Sequence, residues 1–438
     1  MDNTTGKRKR AEKASDEEAE ADVQEQEMAT KRGKTEEQRE EDRELQREEE
    51  AKEAEEDSIP RVASSSTSSS SDSDGADANQ RWLLDVLEDE HLKSLAAKTV
   101  SDKHATLKEY EATFARISNR LLNEVALVIN GQPHRLAEIE YYYEGGNHHD
   151  TFTHCDPLQQ TTANWYFHKS GATYKGGSYK GLDITFGGQV GADGKRAFGG
   201  ILIRAIEPLA GAAAAENENE DDDDDEAEEK KGPKKGKAKA KPKAAAKKGK
   251  AAASGSVDFI EGPSLVVDRV LNVCGADSII KFVASNFPEH ADSPPAHYVA
   301  GRQLYLAPIS AVASSPSVKY ETVAMPNRAV RASPRVGLTL KKVREDAETF
   351  IMKAYRYFIY PELMKKGKVY MICALYFDAG MDVAEVQRVS QTGKATIENY
   401  VRDFESGKSK KGDVSSFRNL NLNTAQLCQL YGAVSTLV

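Results

Sequence analysis

Apolar residues along the chain first recur at helical spacing. In "RWLLDVLEDEHLKSLAAK" they fall at Trp82, Leu83, Val86, Leu87, Leu92 and Leu95, close to a 3.6-residue period. "LKEYEATFARISNRLLNEV" repeats the rhythm, so residues 79–124 are predicted to be helical. The period then shortens. "VALVING" (125–131) and "RLAEIEYYY" (135–143) read as two strands joined by a Gly-bearing turn. "GILIRAIEPL" reads as another, which Pro208 helps to end. "SLVVDRVLNV", "RQLYLAP", "SPRVGLTL" and "YRYFIYP" supply further short strand candidates, and the dense glycines from Gly171 to Gly200 suit tight turns. The predicted class is α+β: helices gathered ahead of an antiparallel sheet curled into a partial barrel.

Past Pro361 the texture turns helical again. In "VYMICALYFDAGMDVAEVQRVSQTGKATIENYVRDFESGK", Val383, Val386 and Val389 would pack one helix. Thr392 and Gly393 would turn the chain, and Ala395–Phe404 would form a second helix with Ile397 and Tyr400 inward. Two readings stand side by side for 362–438: an ordinary helical hairpin, or a helix-turn-helix whose Lys394, Thr396 and Asn399 face DNA.

Composition changes this picture at two places. Residues 1–78 are acidic and serine-rich, without apolar periodicity, and are expected to be a disordered tail. Its basic tetrad, Lys7 to Arg10, is either a solvated charge run or a nuclear import signal; the expected location is the nucleus. Residues 211–256 hold an aspartate run followed by a Lys/Ala/Pro/Gly run, expected to be a disordered insertion in a surface loop. Its lysine half is either a solubilising linker or a non-specific phosphate grip. The net charge of −10 comes largely from these acidic runs, so it does not argue against nucleic-acid binding. The four cysteines, Cys155, Cys274, Cys373 and Cys428, contain no CxxC pair, which argues against an ordinary structural zinc motif and for a reducing compartment. No signal-peptide pattern is read at the amino terminus, and no apolar run approaches the roughly 18 residues of a membrane span.

The candidate chemistry concentrates in "HRLAEIEYYYEGGNHHDTFTH" (134–154). On a strand, Leu136, Glu138, Glu140 and Tyr142 share one face, and Ala137, Ile139, Tyr141 and Tyr143 the other. A glutamate flanked by aromatics is desolvated, which raises its pKa and suits it to act as a base. Tyr142 and a returning His154 offer flat walls beside it. Glu140, His148, His149, Asp150, His154 and Asp156 are possible metal ligands, but the adjacent His148-His149-Asp150 lack ligand spacing. No metal or cofactor is therefore expected, and His148 and His149 are expected to be exposed loop residues.

Several stretches, in order, carry a resemblance. "AEIEYYYEGGNHHDTFTH", "QTTANWYFHKSGATY", "GGILIRAIEPL", "EGPSLVVDRVLNV", "SPRVGL" and "KAYRYFI" resemble successive motifs of the alkyladenine (3-methyladenine) DNA glycosylase family, over about residues 130–361. The resemblance implies one α+β domain on a curled sheet, and a monofunctional, monomeric enzyme that flips damaged purines from duplex DNA and hydrolyses the N-glycosidic bond. By motif position Glu140 would activate water and Arg204 would orient the glutamate or its water. Tyr142, His154, Tyr174 and Asp183 would face the base, and Tyr179 would wedge into the duplex. Such roles are physically coherent: cationic purines favour π faces by about 0.5–2 kcal/mol per ring, and flipping is cheapest at damaged pairs.

Departures accompany the likeness. Gly176 and Gly177 stand where the family has a further tyrosine wall, Asp183 falls near its guanine-screening asparagine, and "NHHDTFTHCDP" is longer than its loop. Plainer readings also stand: Glu140 as an ion-paired strand residue, Tyr142 as a core tyrosine, Arg204 as a surface arginine and Tyr179 as an unremarkable loop residue. For the whole chain the alternatives are a non-catalytic nucleic-acid- or chromatin-binding protein, and a domain similar to the carboxy-terminal domain of formyltransferases.

Overall fold

The computed structural model describes residues 73–88, 90–99, 103–209, 259–313, 327–341 and 346–437. The charged insertion at 211–256 and the tail up to residue 72, with its basic tetrad, lie outside the described residues. Helix α1 (Ser73–Leu87) begins inside the stretch assigned to the tail. Once a packed turn exists, each further residue adds a hydrogen bond at little cost. Helices α2 (Glu90–Ala97) and α3 (Lys103–Glu124) follow.

The chain then enters a curled antiparallel sheet, a half-barrel. Its strands of three or more residues are β1 (Val125–Ile129), β2 (Gln132–Gly145), β3 (Thr162–Phe167), β4 (Leu182–Phe186), β5 (Phe198–Pro208), β6 (Leu304–Pro308), β7 (Arg331–Ser333) and β8 (Arg356–Phe358), and the two-residue strands His148–His149 and Ile260–Glu261 pair with β2 and β5. Their central path runs β6-β1-β2-β5-β4-β3. Strand β2 organises the sheet because it outruns its neighbours. On one edge its first residues pair β1 and its later ones pair β8, while β5 runs along the other edge. A bulge at Leu136–Glu138 and an irregularity between Thr162 and Trp165 add the local twist that helps the sheet to curl.

Two expected strands behave otherwise. "SLVVDRVLNV" is a helix, α4 (Pro263–Cys274). Val266, Val267, Val270 and Leu271 are its buried residues, at helical spacing, with Pro263 in its first turn and Gly275 in the left-handed region past its end. That pattern outweighs the β preference of its valines. In "SPRVGLTL" only Ser333 belongs to a strand. Pro334 has no N–H to give a ladder, and Gly337 turns at φ +82°.

Helix α3 lies on the β2 face that carries Tyr141 and Tyr143. Its buried Leu107, Tyr110, Phe114, Ile117 and Leu121 are spaced three or four apart, as one helix face requires. Phe114 stacks on Tyr141 at 4.6 Å between ring centroids. Beyond α5 (Ile279–Asn286), the C-terminal helices are α6 (Lys368–Cys373), α7 (Val383–Ser390), α8 (Lys394–Lys408) and α9 (Thr424–Val434). The expected turn falls at 391–393, Val386 and Ile397 are buried, and Tyr400 is half-buried. The main partner of α8 is α9, where Gly407 and Gly432 let the backbones touch. A Cβ on either would lie 2.0 Å from a carbonyl oxygen of the opposite helix, Gln429 or Phe404.

Candidate functional site

The opposite face of β2 presents Glu138, Glu140 and Tyr142, as alternation demands. Both glutamates are fully enclosed. Glu138 accepts from Arg204 Nε at 2.8 Å and from Arg356 Nε at 2.5 Å. Burial works against its charge, but the two guanidiniums outweigh that and hold its carboxyl below the usual range. Glu140 Oε1 accepts the Val336 amide at 2.7 Å, and its Oε2 accepts the Tyr142 hydroxyl at 3.0 Å and Arg204 Nη1 at 3.4 Å. Arg204 is buried, not at the surface. Burial opposes its charge too, yet Glu140 and Glu138 together raise its pKa above the ordinary arginine value. Glu140, expected to be flanked by aromatics, thus sits with Glu138 in a polar cage, formed because two arginines and an irregular segment converge on one strand. Val336, in that segment, spends its N–H on the carboxylate instead of on a sheet ladder.

A third arginine completes the layer. Arg335 is buried, pairs with Asp150 through both terminal nitrogens, and donates to the carbonyls of Tyr141 (3.0 Å) and Phe350 (3.2 Å). Its guanidinium lies 4.6 Å from the Tyr142 ring centroid, a cation–π contact that fixes that ring. Burial first, then the Glu140 carboxylate, push the Tyr142 phenol well above its ordinary range, so it stays a hydrogen-bond donor.

Above this layer opens a cavity of about 630 Å³, within the size range of small-molecule sites. Tyr142, Phe152 and His154 supply its flat groups; Gln159, His168, Asp183 and Lys341 supply polar ones. The exposed His154 ring meets His168 edge-on at 4.6 Å between centroids, and Lys175 Nζ lies 3.2 Å from its Nε2. The sheet register relates cavity to cage. Tyr166, Asp183, Leu202, Glu140 and Arg356 are successive cross-strand partners, so all five point to the same face. Asp183 therefore stands two strands from Glu140, roughly 10 Å away along the hydrogen-bonding direction.

The structure brings Glu140, Arg204 and Tyr142 together, with His154 and Asp183 on the same cavity as Tyr142. Glu140 and Arg204 do not line the cavity; they sit behind Tyr142. Tyr174 is not a cavity residue: its ring packs edge-on against Phe167 at 6.3 Å, with Lys169 over its face. Tyr179 stands 77% exposed on a short 3-10 turn, Gly177–Tyr179. Lys394, Thr396 and Asn399 are exposed on α8; Lys394 reaches Glu398 at 3.7 Å, and Asn399 accepts from Arg402 at 2.9 Å.

One expectation is overturned. His149 is exposed, but His148 is wholly buried. Its ring nitrogens bond the Tyr143 carbonyl and the Tyr355 hydroxyl, both at 2.8 Å, and His148–His149 form a short strand paired with the end of β2 in place of the expected loop. Among the described residues no group of His, Cys, Asp and Glu side chains is arranged as a metal cluster. The residues that sequence reasoning passed over are Arg335, Asp150 as its counter-ion, Gln159 and His168. A signal existed for the last two. "LDITF" alternates, so Asp183 and Thr185 had to share a polar face that needs partners.

Comparison with known proteins adds little. No family model matches the chain. No solved structure matches it. It is 41% identical over 106 residues to a protein of Acanthamoeba polyphaga mimivirus designated "Uncharacterized protein L759". The match covers 22% of this chain and 49% of that one, so the chain spans about half the length of the curated relative it matches.

Proposed function

We propose that the chain is a DNA glycosylase that hydrolyses the N-glycosidic bond of modified purines. One observation carries the reading: a ring-lined cavity ends on Tyr142, whose hydroxyl is bonded to the enclosed, arginine-held Glu140. A flipped purine would stack on Tyr142 and His154. As the bond from C1′ to the base nitrogen breaks, the bonding pair leaves with the base and the sugar becomes oxocarbenium-like. A water oxygen bonds C1′ and gives a proton to the Tyr142 oxygen, whose own proton passes to Glu140 Oε2. Arg204 keeps that oxygen aimed, and the exposed Tyr179 would fill the gap left in the duplex. The fold, on this reading, is glycosylase-like, and the partner is duplex DNA in the nucleus.

The test is incubation with duplexes carrying 1,N6-ethenoadenine, hypoxanthine or 3-methyladenine, followed by alkali cleavage. Release by the wild type and loss in Glu140→Gln are expected; equal background from both on all three lesions would remove the enzyme reading for them. A second reading, a non-catalytic nucleic-acid-binding protein, is favoured by the complete enclosure of Glu140, whose two oxygens are both occupied. Tight, salt-sensitive DNA binding without base release is its signature.

A further inference from the structure

The cavity rim carries an amine that the proposed hydrolysis does not use. Beyond β3, two short strands, Lys169–Ser170 and Thr173–Tyr174, pair as a hairpin. Its root is tied: the Lys175 amide donates to the His168 carbonyl at 2.9 Å, and the His168 amide to the Gly181 carbonyl at 3.0 Å. The Lys175 side chain therefore starts from a fixed point beside the cavity. It is half-buried, and its Nζ lies 3.2 Å from Nε2 of His154, a ring that lines the cavity.

The partner sets this lysine apart. Lys180 and Lys353 pair with carboxylates, and Lys169 lies over the Tyr174 ring. Among the described residues no carboxylate is ion-paired with Lys175; its partner is an imidazole. Partial loss of water, and then the neighbouring His168, pull His154 from its ordinary 6.5 down to about 4, so the imidazole is neutral at pH 7. A neutral acceptor orients an ammonium without neutralising it. Desolvation in turn lowers the Lys175 pKa, and Asp183 restores only part of the difference. The free amine, which is the nucleophilic form, is thus more populated than on a surface lysine. Glu140, by contrast, is enclosed, has both oxygens bonded and lies off the cavity.

We propose that Lys175, steadied by His154, is the nucleophile of a second activity: it condenses with the aldehyde carbon, C1′, of an abasic deoxyribose and cleaves the strand there. The abasic sugar as substrate rests on the glycosylase reading, since base release leaves that group at the cavity mouth. The Lys175 nitrogen bonds C1′ of the ring-opened sugar. Its two protons leave with the carbonyl oxygen as water, and the imine nitrogen takes up one proton from solvent. The protonated imine draws electrons from C2′. Water takes a C2′ proton, the C2′–H pair becomes a C2′=C3′ bond, and the 3′ phosphate leaves with the C3′–O pair. Hydrolysis of the imine returns the free lysine.

The experiment incubates the full chain with a duplex carrying one abasic site, with and without sodium borohydride, which reduces an imine to a permanent amine link. With the reductant, a covalent protein–DNA adduct is expected, attached at Lys175 by peptide mass mapping; without it, a nick at the site. A tetrahydrofuran analogue of the site, which has no aldehyde, is expected to give neither. Lys175→Arg keeps the positive charge but not the nucleophilic amine, and is expected to lower the adduct yield by about tenfold or more. No adduct on the wild type, attachment only at Lys341 or at the lysines between 230 and 250, or a yield unchanged in Lys175→Arg would overturn the proposal. The attachment site is read on the wild type, so a misfolded variant cannot shield it. The abasic duplex bypasses base release. A chain trapped at Lys175 that frees no base would sink the glycosylase reading and keep this one; base release without trapping would sink this one alone.

Discussion

The two faces of β2 are both buried and chemically opposite. Toward α3, Tyr141, Tyr143 and the neighbouring His148 join Phe114 in an aromatic cluster, with ring centroids 4.6 Å apart at the Phe114–Tyr141 stack. Toward the cavity, Glu138, Glu140 and Tyr142 meet Arg204, Arg335 and Arg356. Apolar packing needs no justification beyond area: a fully buried aromatic contributes about 1.5–3 kcal/mol. Buried ion pairs are poor stabilisers, because desolvation offsets most of the attraction. A strand that spends one face on charge is therefore positioning groups, and the contrast directs attention to that face.

The largest expected effect breaks the contrast directly. Asp150→Ala strands Arg335, which is fully buried. Loss of about 3–5 kcal/mol is expected, the usual cost of an uncompensated buried charge. On the aromatic face, Phe114→Leu keeps much of the volume and is expected to cost only about 1 kcal/mol. Urea-unfolding midpoints decide it; equal shifts would mean that the ionic face is no more fragile than the aromatic one.

A smaller effect concerns pH. Burial pulls His148 from its ordinary 6.5 down to about 4. Between those values the unfolded chain binds the proton and the folded chain does not. Stability therefore rises with pH through this window, and falls as pH drops from 6.5 toward 4. By pH 4.5 the loss from this residue is expected to reach about 2 kcal/mol. His148→Phe should flatten that part of the profile; an unchanged slope from pH 7 to 4.5 would show that His148 is not the group responsible.

Neighbouring tyrosines sharpen the comparison. The Tyr141 hydroxyl, within the aromatic layer, accepts from Ser118 Oγ at 3.1 Å; the Tyr142 hydroxyl donates to Glu140. Each Phe substitution is expected to cost about 1 kcal/mol of stability. If the chain is the glycosylase proposed above, only Tyr142→Phe should lower base release, by about a hundredfold, the scale of a lost general acid–base group. Equal activity in both variants would remove Tyr142 from the proton path.

How much of this was legible in the chain depends on range. The alternation of Glu138, Glu140 and Tyr142 against Tyr141 and Tyr143 is local, and the observed faces agree with it. The helical residues 79–124 and the strands at 125–129, 132–145 and 198–208 were likewise written in short-range periodicity. What the β-branched run of α4 concealed was its spacing, which is helical. The cage was not legible, because Arg335 and Arg356 arrive from nearly 200 residues away or more, and the Arg335–Asp150 pair spans 185 positions. His148 misled for the same reason: a Gly-Gly-Asn context suggests a loop, and the Tyr355 hydroxyl that buries it lies 207 residues on.

The smallest expected effect lies far from β2. Lys394 is exposed at the start of α8, and its nearest partner, Glu398, is a turn away at 3.7 Å. Such surface pairs stabilise little, so Lys394→Ala should change the unfolding free energy by less than about 0.5 kcal/mol. If the α7–α8 pair meets a DNA backbone, the same substitution removes a phosphate contact and should reduce the salt slope of binding by about one. Fluorescence anisotropy at several salt concentrations measures that slope. A slope identical to the wild type would leave α8 as part of the packing against α9 alone, and would remove Lys394 from the proposed DNA contact.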